Sequence, residues 1–218
     1  MEQSNIISAA EDYIRKIHLD DSSGHDYWHI KRVESLAVKL AHAENADVFL
    51  CRLSALLHDV DDYKTGGDEE NLPVAKKLLN EQKISKDIHQ RVLSIIRQVS
   101  FKGARVVNQP LSIEAMCVQD ADRLDAIGAI GIARTFAFGG KSQRSIYDPG
   151  IKPVCNSSYS EYKNNNSPTV NHFYEKLLLL KDRMNTDKAR QIAVKRHQFM
   201  EEFLRQFYLE WETLDAKL

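Results

Sequence analysis

Apolar residues recur along most of this chain at intervals of three and four, the spacing of a one-sided helix rather than the alternation of a strand. Residues 3–19 place Ile6, Ile7, Ala10, Tyr13, Ile14 and Ile17 on one face, and residues 27–44 repeat the pattern with Val33, Leu36, Ala37, Leu40 and Ala41. Asp47 can cap a third helix, VFLCRLSALLH, which is apolar nearly all round and so belongs at the centre of the fold. Pro73 suits the first turn of a helix running to about residue 81. Ser85 can cap a fifth helix with Ile88, Val92, Ile95, Ile96 and Val99 facing inward. Ser112 begins an apolar stretch through Ile127 that continues or kinks at Gly128 and Gly131 towards Phe138, the two glycines reading as a point of close helix packing.

Residues 139–168 differ in kind, with Pro149, Pro153, Pro168, Gly139, Gly140, Gly150 and the run Asn164-Asn165-Asn166. They predict a long, mobile loop of the sort that is usually functional or disordered. Two further helices, over 169–184 and 187–215, close the chain. The last carries Ile192, Phe199, Phe203, Phe207, Trp211 and Leu214, a stripe that reads as core packing rather than as a surface for stacking bases. No β alternation, repeat or composition break interrupts this pattern. The expected architecture is all-α, a single domain spanning 1–218.

Composition narrows the functional classes. Of 218 residues, 43% are hydrophobic and 28% charged, an ordinary balance that argues against a disordered or fibrous chain. Lys and Arg total 30 against 31 for Asp and Glu, so no basic surplus tracks a nucleic-acid backbone, and duplex binding is not expected. Cys51, Cys117 and Cys155 share no short spacing and read as buried free thiols of a reducing compartment. The N-terminal residues are polar and acidic, and no apolar run approaches the roughly 18 residues of a membrane span. The expectation is a cytoplasmic protein without a membrane partner.

Candidate chemistry begins where the third helix ends, in LLHDVDD, residues 56–62. Adjacent His and Asp diverge on a regular helix, but at a helix end both side chains can turn to one point. Imidazole plus carboxylate suits a divalent transition metal. A His-Asp dipeptide alone is weak, since a second occurs at His25-Asp26. Its company raises it. The segment GHDYWHIKRV, residues 24–33, puts His29 one turn inside a helix start with His25 four residues earlier, and QDADRLDAIG, residues 119–128, puts carboxylates in an apolar helix. Asp122 and Asp125 share a face there, whereas Asp120 points elsewhere. Such carboxylates must be paired with a cation, either a metal or an arginine such as Arg123.

His29, His58-Asp59 and Asp122, together with GHDYWHIKRV, DADRLDAIG, FYEKL and RHQFMEEFL, resemble the HD-domain metal-dependent phosphohydrolases, in particular a bacterial branch similar to nucleotide pyrophosphohydrolases. The resemblance covers nearly the whole chain. It implies a helical bundle with a central metal site and makes His29, His58, Asp59 and Asp122 the protein ligands of one divalent ion. Manganese is the expected ion, with Mg, Co, Ni, Zn or Fe as alternatives. The implied substrate is a small phosphorylated metabolite, a nucleotide above all. Asp62, three residues beyond Asp59, matches the position of an acidic residue that activates water in some members; Asp61 is the alternative, and a solvated acidic turn a third reading.

Two-metal members carry extra histidines between HD and the last Asp, where this chain has only His89, and Lys102 stands near the place of a further ligand. One metal is therefore expected, with Lys102 either contacting phosphate or simply exposed. Lys141, Arg144, Lys176 and Arg196, in or beside the long loop, are further candidates for the substrate's phosphates. His42 should face solvent, and His197 should be packed or capping. Two other functions remain open at this point: a binding or signalling module without turnover, and a di-iron oxygenase.

Overall fold

The structure is a computed structural model, and it describes residues 3–19, 24–62, 67–99, 112–154 and 167–216. These form α1 (Gln3–His18), α2 (Tyr27–Glu44), α3 (Val48–Leu57), α4 (Pro73–Glu81), α5 (Lys86–Val99), α6 (Ile113–Asp125), α7 (Gly128–Lys141), α8 (Asn171–Glu175) and α9 (Asp187–Trp211), with 3-10 turns at Leu177–Arg183 and Leu214–Ala216. No strand occurs among the described residues, and none of their helices is long and apolar enough to cross a membrane.

Local chemistry fixes the starts of the helices that matter for the site. Asp26 accepts from the amide of His29, Asp47 from that of Leu50, Ser112 from that of Ala115 and Thr186 from that of Ala189, each giving an orphan N–H of a first turn its partner. Helix α3 is buried on nearly every side and packs on α1, α2, α5 and α6. Helix α2 lies between α3 and α6, so its inner face looks onto the end of the one and the middle of the other. Helices α6 and α7 meet at a corner rather than a continuous rod. Gly128 adopts φ +76 beside Arg196, and a Cβ on Gly131 would stand 2.2 Å from the carbonyl oxygen of Ala126. Only glycine permits that approach.

Several expectations need correction. The helix expected over 169–184 is α8 followed by a 3-10 turn. Leu177 and Leu180 are both buried, and a spacing of three puts them on one side of a 3-10 turn. The long loop begins later than expected, because Gly139 and Gly140 lie within α7. Its described ends are tied together, with Thr169 and Val170 donating to the carbonyls of Ser145 and Ile146; residues 155–166, Cys155 among them, lie outside the described residues. In the C-terminal stripe Phe203 stacks on Phe173 within the core, but Phe199 and Trp211 are 52% and 49% exposed. Trp211 packs edge-on against Tyr147, outside the main core. Ile17, expected inside, is also about half exposed, at the last turn of α1. His42 faces solvent and His197 lies beside Glu201 on its own helix.

Candidate metal centre

Four side chains from three helices converge where α2 begins, α3 ends and α6 passes. His58 is the residue at which α3 stops, and Asp59 opens the following turn, so the two successive side chains share one point, with His58 Nε2 3.3 Å from Asp59 Oδ1. His29, in the first turn of α2, brings its Nε2 to 3.2 Å from Asp59 Oδ2 and 3.6 Å from Asp122 Oδ1. His58 Nε2 lies 3.8 Å from the same Asp122 oxygen, and the two imidazole rings are 5.3 Å apart.

The imidazoles are oriented from behind. His58 Nδ1 donates to the carbonyl of Ala55 at 2.7 Å, and His29 Nδ1 donates to Asp125 Oδ2 at 2.8 Å. Both acceptors lack a proton to give, so each Nδ1 carries the hydrogen and each Nε2 presents its lone pair to the cluster. Both Nε2 atoms are buried and neither makes a hydrogen bond of acceptable geometry, despite the nearby carboxylates. Two inward-facing imidazole nitrogens without hydrogen-bond partners, among two carboxylates, form a donor set that a divalent cation satisfies. An octahedral ion with bonds of ~2.1 Å sets neighbouring ligand atoms ~3.0 Å apart, close to the shorter separations here and somewhat below the longer ones. Ligand atoms of His29, His58 and Asp122 lie within 4.8 Å of one another, as do those of His25, His29 and Asp59.

Electrostatics suits a cation site. Burial works against ionisation of Asp59, but His58 and His25 hold its carboxyl well below the usual range. Burial likewise opposes ionisation of Asp122, and His58, His29 and Lys176 overcome it. Burial and Arg134 push the imidazole of His29 down, yet its hydrogen bond with Asp125 and the negative charge of the nearby Asp59 carboxylate leave it above the ordinary histidine value.

The other sequence candidates are distributed as follows. Asp61 is buried with its two carboxylate oxygens accepting from the amides of Val74 and Ala75, so both are engaged in capping α4. Asp62 is also buried, in the turn that carries Asp59, which rules out a solvated acidic turn. Arg144 lies over the ring of Phe138, which in turn packs edge-on against His25. Lys176 is close enough to Asp122 to favour its ionised form. Lys141 ends α7 on the surface. Arg196 donates to the carbonyl of Leu124, and burial lowers its pKa; it braces the α6–α7 corner. Lys102 lies outside the described residues. His89 and Asp125 fall in neither metal-capable group among the described residues.

Three residues were not assigned from sequence. Asp125 is braced by Arg32 and Arg134 and supports His29; its shared face with Asp122 was the readable signal. Arg123, offered by the sequence as an alternative to a metal for pairing these carboxylates, donates to the carbonyl of Arg183; burial lowers its pKa to about 10, against the favourable charges of Asp120 and Asp122. His25 bonds to Asp59, and its four-residue spacing from His29 was the hint. Arg134 carried no sequence signal.

A helical bundle with two histidines and two aspartates gathered from its central helices is the arrangement of the HD class. The HD-domain family model matches residues 27–127, and the chain belongs to that family. YpgQ of Bacillus subtilis is 40% identical over 208 residues, 94% of this chain and 93% of its own length. A solved protein from Lactobacillus plantarum superposes with a TM-score of 0.87 at 39% identity, covering 98% of this chain and 100% of its own. An HD-superfamily hydrolase from Bacillus thuringiensis does so with 0.71 at 41% identity, covering 97% and 99%. The B. subtilis protein has been solved in complex with ADP; that structure has a TM-score of 0.70 and covers 92% of this chain and 97% of its own.

Proposed function

We propose that this protein is a metal-dependent phosphohydrolase acting on a nucleotide, with one divalent ion, manganese in the first instance, held by His29, His58, Asp59 and Asp122. The observation that carries this reading is the pair of buried Nε2 lone pairs aimed at two ionised carboxylates. Bound there, such an ion would lower the pKa of a water and polarise a phosphoryl oxygen. The side chains do the rest. Asp62, in the turn that carries Asp59, takes the proton of the attacking water. Lys176, beside Asp122, and Arg144, beyond Phe138, neutralise charge on the phosphates, with Lys141, Arg196 and Lys102 as further contacts. The ADP complex of the B. subtilis relative supports a nucleotide as ligand.

The test is release of phosphate and pyrophosphate from a panel of nucleoside mono-, di- and triphosphates by the manganese-loaded protein. Turnover that falls by about a hundredfold to ten-thousandfold in Asp62→Asn, with metal retained, is the expected result. Stoichiometric metal with no release from any nucleotide would make the chain a binding module instead.

A further inference from the structure

The turn that precedes α2 is built more tightly than a helix entry requires. Gly24 adopts φ +83, a conformation that favours glycine, with the side chain of Arg134 packed directly over it. The guanidinium of Arg134 donates through Nε to the carbonyl of Gly24 at 2.6 Å and through a terminal nitrogen to Asp125 at 3.1 Å. His18 Nδ1 donates to the carbonyl of His25 at 3.1 Å, and Asp26 caps α2. His25 is thereby fixed on both sides along the backbone. Its ring is walled by two others, His29 at 5.6 Å and Phe138 at 6.3 Å, both edge-on.

What this holds in place is one atom. His25 Nδ1 lies 2.9 Å from Asp59 Oδ2, and a carboxylate only accepts, so the nitrogen is the donor. Asp59 Oδ2 is the oxygen facing His29 Nε2, while Oδ1 faces His58 Nε2. A carboxylate in a turn rotates about its last bond unless something fixes one oxygen. We propose that His25 is a positioning residue of the metal centre: its Nδ1–H fixes the plane of the Asp59 carboxylate so that the cluster is set before the ion arrives, with Arg134 holding the turn that carries it. Partners behind ligands commonly matter this way, since a pre-set ligand loses less freedom on binding. The proposal rests on the metal-centre reading above and adds to it a residue outside the four ligands.

The atom that donates makes the test specific. The amide nitrogen of Asn stands where Nδ1 of His stands, whereas that of Gln reaches the place of Nε2. Chelator-stripped protein is titrated with Mn2+ by calorimetry for the parent, His25→Ala, His25→Asn and His25→Gln, with unfolding in EDTA followed in parallel. His25→Ala and His25→Gln are expected to bind Mn2+ about tenfold to a hundredfold more weakly, and His25→Asn close to the parent, with similar unfolding midpoints in EDTA for all three. Should His25→Ala fail to fold, the Asn and Gln pair decides. Equal affinities for Asn and Gln would overturn the proposal, as would an affinity loss matched by an equal loss of stability in EDTA. A second tight equivalent in the parent that disappears in His25→Asn would also overturn it, because His25 would then be a ligand. A parent that binds no Mn2+ overturns the metal-centre reading and this proposal with it, whereas a parent that binds Mn2+ while His25→Asn and His25→Gln bind it equally overturns this proposal alone.

Discussion

At the scale of single residues, Asp125 shows how much a ligand depends on what lies behind it. Its carboxylate takes His29, Arg32 and Arg134 at once, and these partners hold it ionised far below the usual range despite burial. Asp125→Ala leaves the buried Nδ1–H of His29 without its acceptor and two guanidinium groups without their counter-charge. The expected cost is roughly 3–5 kcal/mol, read from denaturant unfolding in EDTA. Asp61 supplies the contrast. It caps α4, so Asp61→Ala should cost about 1 kcal/mol and leave Mn2+ affinity at the parent's value in a calorimetric titration. A drop in affinity there would draw Asp61 into the centre. The histidines and aspartates of the cluster were readable because their types and local settings are unusual: an HD pair ending an apolar helix, a histidine one turn into another. The bond from His25 to a carboxylate 34 residues on was not, since nothing in the spacing encodes which side of a turn an imidazole faces. Arg134 is one charge among many until α7 folds back on the Gly24 turn.

At the scale of elements, the corner between α6 and α7 sets the direction of Asp122 and Asp125 relative to α2. The sequence offered both a continuous helix and a kink, and the glycines decide it through contact rather than propensity: Gly131 sits against the backbone of Ala126. Gly131→Ala improves intrinsic helix propensity, yet its methyl has no room. The variant is expected to lose roughly 1–3 kcal/mol in urea unfolding, the usual cost of overfilling a packed site. A stabilised variant would mean that the corner relaxes freely. Where periodicity misled, at 169–184, a run of leucines satisfied both a 3.6-residue and a three-residue repeat, and burial of Leu177 and Leu180 selected the tighter turn. Exposure of Phe199 and Trp211 was hidden for a related reason. A stripe shows which residues share a face, not how far along the helix the core extends.

At the scale of the whole molecule, the bundle gathers ligands from α2, α3 and α6, helices separated in sequence but packed on each other. An ion that binds only the folded chain must therefore stabilise all of it. At a hundredfold excess over its dissociation constant the gain is about 2.7 kcal/mol, or roughly 5–10 °C in melting temperature for a chain of this size. Scanning calorimetry with and without Mn2+ should show that rise, and EDTA should reverse it. The most direct test of the central claim is the stoichiometry of binding itself. Chelator-stripped protein titrated with Mn2+ should saturate at one ion per chain, and Asp59→Ala and His58→Ala, still folded by circular dichroism, should take up none at the same concentrations. A folded Asp59→Ala chain that still binds one tight equivalent would contradict the account.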